Sequence, residues 1–164
     1  MTTVSAIFKS HKDADKALHQ LDNTGFSKDS VSFVMSEQTR DSYVQEIKES
    51  TKADEGAAAG AGIGGLAGAV AGILMAAGAI AIPGLNLIVT GALVSSLAGL
   101  GAGALAGGLV GGLIGAGIPE HEAKLYAKEI ERGNFLVTVQ TATKEEEQQA
   151  REIFSQNSAD RIAA

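Results

Sequence analysis

Few residues in this sequence have the types and spacing needed for chemistry. Residues 60–65, Gly-Ala-Gly-Ile-Gly-Gly, satisfy the G-x-G-x-x-G pattern of dinucleotide-binding loops. Such a loop follows a strand and is itself followed, about 20 residues later, by an acidic residue that holds the ribose. No strand pattern precedes residues 60–65, and no acidic residue follows at that distance. We therefore predict that this stretch binds no dinucleotide.

The remaining candidates for catalysis or metal binding are also isolated. The chain has three histidines, His11, His19 and His121, and no cysteine. Because a zinc site needs three or four converging ligands, dispersed histidines predict solvated helix residues. The acidic run Glu145–Glu147 suits the positive end of a helix, and no G-x-S-x-G nucleophile motif occurs. The sequence predicts no enzyme, with no catalytic, cofactor-binding or metal-binding residue.

Charge divides the chain into two regions. Residues 56–118 contain no Asp, Glu, Lys or Arg, whereas both flanks are rich in them. We predict a discontinuous domain made of residues 1–55 and 119–164, with residues 56–118 as an insert. The net charge of -6 argues against nucleic acid as a partner, because phosphate binding needs clustered basic residues.

The charged flanks carry strand and helix patterns. Apolar and polar side chains alternate at residues 4–9, 31–35 and 135–139, and a short strand is predicted at residues 161–163. Helices are predicted at four places: Ser10–Gly25, Arg40–Lys52, Pro119–Gly133 and the segment that begins at Thr143. The flanks together give the β-α-β-β-α-β order of a ferredoxin-like sandwich. The predicted fold class is α+β, a split βαβ-βαβ sandwich interrupted by a long helical hairpin.

Glycines recur every four residues in the insert. A four-residue spacing keeps them in one stripe of a helix, where the missing side chains let a second helix approach. The predicted contact residues are Gly56, Gly60, Gly64, Gly68, Gly72, Gly99, Gly103, Gly107, Gly111 and Gly115. The turn between the two antiparallel helices is predicted at Pro83-Gly84. Each glycine costs about 1 kcal/mol in an exposed helix, so contact must compensate.

Two environments suit such a hairpin. Helices over residues 56–82 and 85–118 would be about 40 and 50 Å long, enough to cross a hydrocarbon core of about 30 Å. One prediction is insertion into the inner membrane, with lipid as a partner and the ferredoxin-like domain as a cytoplasmic head. The alternative is a soluble cytoplasmic oligomer in which the hairpins bury one another.

The sequence resembles the bacterial general stress protein 17M-like (heat-induced stress protein) family along nearly its whole length. The most specific matching segments are Ile82-Pro83-Gly84 and Gly117-Ile118-Pro119-Glu120. Further matching residues are Phe8, Ala14, Ala17, Leu18, Gly25, Phe26, Ser27, Asp29, Val31, Ser32, Gly115, Ala123, Tyr126, Gly133 and Leu136–Val139. The resemblance implies a bacterial stress-induced protein with no established activity.

These observations predict a non-enzymatic general stress protein. We expect it to associate with a membrane or to assemble with itself through the glycine stripes. The alternative is an oligomeric binding or sensor module whose sheet recognises a small ligand or a partner. A homo-oligomer is expected in either case, and the sequence identifies no protein partner.

Overall fold

The computed structural model describes residues 2–27, 29–53, 80–82, 86–91, 93–94 and 102–163. Within these ranges the chain has a mixed α+β fold built on one antiparallel sheet. The six strands are β1 (Thr2–Phe8), β2 (Val31–Ser36), β3 (Ile80–Ile82), β4 (Leu87–Thr90), β5 (Phe135–Thr141) and β6 (Arg161–Ala163). Their order across the sheet is β3-β4-β2-β5-β1-β6.

Strand β1 lies between two strands from the other end of the chain. It pairs with β5 in the register Val4↔Val139 and with β6 in the register Ala6↔Ile162. Strand β2 pairs with β5 on one side and with β4 on the other. The two halves of the charged region therefore share one sheet.

Five helices are described, and they cover both faces of the sheet. They are α1 (His11–Asn23), α2 (Glu37–Ala53), α3 (Ala102–Gly115), α4 (Glu120–Glu131) and α5 (Lys144–Gln156). Helices α1 and α5 pack on one face, together with Tyr43 of α2. Helices α3 and α4 pack on the other face. The central strands are therefore buried on both sides, and the α3 and α4 side includes the buried polar residues Ser5, Ser32 and Thr138.

Each face has its own core. On the α1 and α5 side, the ring of Phe8 meets that of Phe154 edge-on, with centroids 5.8 Å apart. On the α3 and α4 side, the buried residues include Ile7, Leu136 and Tyr126. Adjacent residues of one strand thus serve different cores, since successive side chains point to opposite faces.

The α+β class predicted from the sequence is confirmed. The predicted strand at residues 4–9 is observed at Thr2–Phe8, and the short last strand is observed at Arg161–Ala163. The predicted helix over residues 40–52 is longer and spans Glu37–Ala53. Ser36 explains this earlier start, because its Oγ accepts a hydrogen bond from the backbone N–H of Thr39 at 3.1 Å.

The predicted helical hairpin is wrong where the structure describes it. Residues 80–82 and 87–90, expected in two long helices, are strands that pair with each other in the register Ile82↔Leu87. Both segments are rich in β-branched residues, which favour strands. Helix α3 is also interrupted, because Gly108 has φ 59° and ψ -158°, outside the helical region. A continuous helix over residues 85–118 is therefore contradicted.

The membrane prediction is contradicted as well. A membrane-crossing helix needs about 20 consecutive apolar residues. In the ranges that the structure describes, no helix has both the length and the apolar character to cross a bilayer. Helix α3, the most apolar of them, has 14 residues including its kink. This finding overturns the predicted transmembrane helices and the predicted inner-membrane location.

Candidate functional site

Helix α3 is apolar along its whole length. Its residues are all Gly, Ala, Leu, Val or Ile, so it carries no charged side chain. One side packs on the sheet, where Leu113 is fully buried with Val89 of β4 and Ile7 of β1. The next residue, Ile114, is 41% exposed. The last turn of α3 therefore presents an apolar side chain, Ile114, at its surface.

The predicted contact glycines can be placed only in part. Gly103, Gly107, Gly111 and Gly115 lie in α3. The other predicted residues, Gly56, Gly60, Gly64, Gly68, Gly72, Gly99, Pro83 and Gly84, lie outside the described residues. A Cβ atom added at Gly111 would meet no described atom within 4 Å. The surface of α3 is therefore open toward described atoms at Gly111, and the kink at Gly108 separates Gly111 and Gly115 from Gly103 and Gly107.

A tight corner fixes α3 relative to α4. The backbone N–H of Ile118 donates to the carbonyl of Leu113 at 3.0 Å, and that of Gly117 donates to the carbonyl of Ile114 at 2.9 Å. This pair of bonds is the Schellman motif, which requires the left-handed φ of 89° found at Gly117. Pro119 follows at once, where its fixed φ suits the entry to the next helix. The segment Gly117–Glu120 therefore ends α3 and begins α4.

Helix α4 anchors this layer through a buried tyrosine. The Ser5 hydroxyl donates to the phenol oxygen of Tyr126 at 3.0 Å across the sheet face. Burial raises the pKa of Tyr126 to about 12, and the nearby Glu122 carboxylate adds to the increase. The phenol therefore stays protonated at neutral pH. The preceding residue of α4, Leu125, is 36% exposed.

The second tyrosine lies on the other face of the sheet. Tyr43 is almost fully buried beside His11, with ring centroids 4.9 Å apart. Burial, followed by the charge of Asp15, raises the pKa of Tyr43 to about 12. The raised pKa disfavours the phenolate that a catalytic base or nucleophile would need.

The histidines lie in different places. His11 is half-buried beside Tyr43, and its Nδ1 is 3.9 Å from a carboxylate oxygen of Glu46. His121 lies on the surface at the start of α4, with its Nε2 3.2 Å from Glu122. Among the described residues, no three His, Asp or Glu side chains converge on a possible metal position. The prediction that His11 is a surface residue missed its contact with α2.

Sequence reasoning also missed Ile114 and Leu125. Of the described large apolar side chains, these two stay exposed. A signal was present for Leu125, which is surrounded by charged residues in the sequence His121–Lys128. Ile114 had no such signal, since all its neighbours in the chain are apolar.

Comparison with known proteins adds no relative. No protein-family model matches the chain, and neither the curated proteins nor the solved structures provide a match.

Proposed function

We propose that the chain is a non-enzymatic, self-associating binding module in which the outer side of α3 contacts α3 of a second copy. The observation that carries this proposal is the pairing of an open glycine with an exposed isoleucine on a charge-free helix. Gly111 and Ile114 are three residues apart and therefore lie on neighbouring turns of one side. The side chain of Ile114 therefore lies beside the space that Gly111, which has no side chain, leaves open.

This arrangement is self-complementary. In a two-fold interface, residue i of one copy contacts residue j of the other, and the reverse contact is made as well. Antiparallel α3 helices would place Ile114 of each copy over Gly111 of its partner. The apolar surface buried by each pair would stabilise the dimer by about 25 cal/mol per Å². Because Gly111 has no side chain, the two helices could approach closely there.

We further propose that the sheet is a ferredoxin-like core with an added hairpin. The strands β6-β1-β5-β2 follow the 4-1-3-2 order of a β-α-β-β-α-β unit, with α1 and α5 together on one face. Strands β3 and β4 extend this core at the β2 edge. Such a framework supports a binding role, because it leaves α3 and α4 on the opposite face as a separate layer.

A role in the stress response is kept as a hypothesis from the sequence resemblance. It is tested by measuring the abundance of the protein before and after heat shift in its cell of origin. Unchanged abundance under heat and other common stresses would argue against it, and would leave the self-association proposal untouched.

Self-association is tested by light scattering coupled to size-exclusion chromatography. The substitution Ile114→Glu would place a charge in the contact, and Gly111→Leu would fill the hollow. Both variants are expected to have a lower mass than the wild type at equal concentration. Ser155→Glu is the matched control, because Ser155 is exposed on α5, in the opposite layer.

The result is interpretable only if the variants fold. Far-UV circular dichroism and urea unfolding establish this, and Gly111→Leu is expected to fold because nothing described occupies the space beside Gly111. A wild-type chain that stays monomeric at all concentrations would refute the proposal. Folded Ile114→Glu and Gly111→Leu variants with unchanged oligomeric mass would refute it equally.

A further inference from the structure

A cleft with both apolar and polar walls opens on the side of the sheet opposite to α3. Its volume is about 530 Å³, within the range of about 300–1,000 Å³ usual for small-ligand sites. It lies between the C-terminal end of α1, the end of β5 and the start of α5. Residues from all three elements line it, with Phe26, Gln140 and Gln149 among them.

The walls of the cleft are held by local hydrogen bonds. On the α1 side, the N–H of Phe26 donates to the carbonyl of Leu21 and that of Gly25 to the carbonyl of Asp22, each at 3.1 Å. This Schellman motif uses the positive φ of 93° at Gly25. It also turns Phe26 back toward the core, against which its ring is packed. The apolar part of the cleft surface is therefore fixed in position.

The opposite wall is fixed by the start of α5. The Thr143 hydroxyl accepts a hydrogen bond from the N–H of Glu146 at 3.1 Å. The Glu146 carboxylate in turn accepts one from the N–H of Ala142 at 2.6 Å through Oε2. These reciprocal bonds resemble a capping box. They leave Oε1 of Glu146 as an acceptor at the cleft.

Three hydroxyl groups at the cleft have already used their protons. Thr24 donates to the carbonyl of Gln20 at 2.8 Å, and Ser30 donates to the carbonyl of Ser27 at 2.7 Å. Thr141 donates to the carbonyl of Thr2 at 3.0 Å. A hydroxyl that has donated its proton still has lone pairs to offer, so these three groups favour a ligand that supplies hydrogen-bond donors. The Ser27 hydroxyl accepts from the N–H of Asp29 at 3.2 Å and keeps its proton to donate.

One carboxamide completes the polar lining. Within the described part of the chain, the side chain of Gln149 makes no hydrogen bond, so it retains two donors and an acceptor. No Lys or Arg is among the described lining residues, so the described lining offers no counter-charge to an anion. Glu146, the acidic residue among them, already accepts a hydrogen bond from Ala142 and lies at the positive end of the α5 dipole, and both interactions weaken its attraction for a cation.

From this arrangement we infer that the cleft binds a small, uncharged polyhydroxyl molecule of the size of a monosaccharide. Its hydroxyls donate to Thr24, Ser30 and Glu146 and exchange hydrogen bonds with Ser27 and Gln149, while one face of the molecule lies against Phe26. The inference goes beyond self-association and does not depend on it, because α3 lies on the other side of the sheet.

The test is an NMR titration of the ¹⁵N-labelled full chain with three sugars that share one ring. They are D-glucose, which is neutral, D-glucosamine, which is cationic, and D-glucuronate, which is anionic. Glucose is expected to shift the amide resonances of Gly25, Gln140 and Ala142 and the side-chain amide of Gln149. Millimolar affinity is sufficient, and the two charged sugars are expected to bind more weakly.

Two neighbouring glutamines give a matched control. Gln149 lines the cleft, whereas Gln148 points away from it and donates to Glu152 at 2.9 Å. Gln149→Ala is expected to weaken glucose binding about three- to tenfold, the value of one neutral hydrogen bond. Gln148→Ala is expected to leave binding unchanged.

Three results would overturn the inference. Glucose could leave the cleft amides unmoved in a chain whose other resonances show it to be folded. Glucosamine or glucuronate could bind more tightly than glucose, which would make the ligand an ion. Finally, Gln148→Ala could weaken binding as much as Gln149→Ala, which would place the sugar outside the cleft.

Discussion

Gly91, directly after β4, provides a sharp test of how the uncharged segment folds. Its φ is 74°, and a Cβ atom added there would lie 1.8 Å from the carbonyl oxygen of Val31 and 3.0 Å from the Cα of Ser32. Both of those atoms belong to the backbone of β2. An alanine at this position can be accommodated only if the two strands move apart.

The expected cost of Gly91→Ala has two parts. Placing an L-residue at a left-handed φ costs about 1–2 kcal/mol. Separating packed backbone adds about 1–3 kcal/mol, the usual cost of overpacking. It also strains two hydrogen bonds at this end of the pair, from the N–H of Leu93 to Ser32 Oγ at 2.9 Å and from the N–H of Phe33 to Thr90 Oγ1 at 3.2 Å. The sum of the two parts is about 2–5 kcal/mol.

Gly25→Ala is the matched control. Gly25 has a similar positive φ of 93°, but a Cβ atom there would meet nothing described within 4 Å. Gly25→Ala should therefore lower the free energy of unfolding only by the cost of the left-handed φ, about 1–2 kcal/mol. Urea unfolding followed by circular dichroism measures both free energies of unfolding, and an unchanged m-value indicates that the denatured state is the same.

The sign of the result distinguishes the observed fold from the helix predicted over residues 85–118. Alanine is favoured over glycine by about 1 kcal/mol inside a helix, so a helical Gly91 would make Gly91→Ala stabilising. Stabilisation, or a cost no greater than that of Gly25→Ala, would refute the placement of β4 beside β2.

Three further outcomes follow from the structure. Both tyrosines have a pKa raised to about 12 from the ordinary 10.0, and the chain has no tryptophan to obscure their absorbance. Tyrosinate absorbance of the folded protein should therefore appear near pH 12, against about pH 10 for the chain unfolded in urea. Because the pKa in the folded state exceeds that in the unfolded state, the contribution of the two buried tyrosines to the free energy of unfolding is complete below pH 10 and is lost as the pH rises to 12. Tyrosinate absorbance near pH 10 in a chain that is still folded would contradict this. Thr143→Ala should lower the free energy of unfolding by about 1 kcal/mol, because Thr143 caps α5. Ser10→Ala should lower it by less than about 0.5 kcal/mol, because the Ser10 side chain makes no cap hydrogen bond. Equal losses in urea unfolding would contradict the capping assignment. Gly111→Ala should stabilise the dissociated chain by up to about 1 kcal/mol and should weaken self-association. Unfolding at low concentration measures the first effect, and light scattering measures the second. Destabilisation of the dissociated chain would show that another part of the chain occupies the space beside Gly111.

The charged flanks could be predicted well from the sequence because their local signals agree. Alternation correctly located β1 and β5, although both strands are buried on both faces, and helical spacing in α1 and α5 matches their one buried side. The two terminal regions meet in one sheet, where β1 pairs with β5.

The helices predicted in the insert were wrong because the glycine repeat was extended over residues 80–90, where it does not continue. The four-residue spacing holds from Gly56 to Gly72 and from Gly99 to Gly115, but residues 80–90 do not follow it. There, β-branched residues on both sides of Pro83-Gly84 indicate a strand pair. The kink at Gly108 and the exposure of Ile114 depend on tertiary packing, which no periodicity contains.

The position of β1 has a consequence for biosynthesis. A strand has two edges, and those of β1 are filled by β5, which begins at Phe135, and by β6, which begins at Arg161. At a translation rate of about 5–20 residues per second, synthesis from the end of β1 at Phe8 to the start of β5 at Phe135 takes roughly 6–25 s. Through that interval neither edge of β1 has its partner strand, so the folding yield of this chain should respond to chaperones that bind unpaired strands of nascent chains.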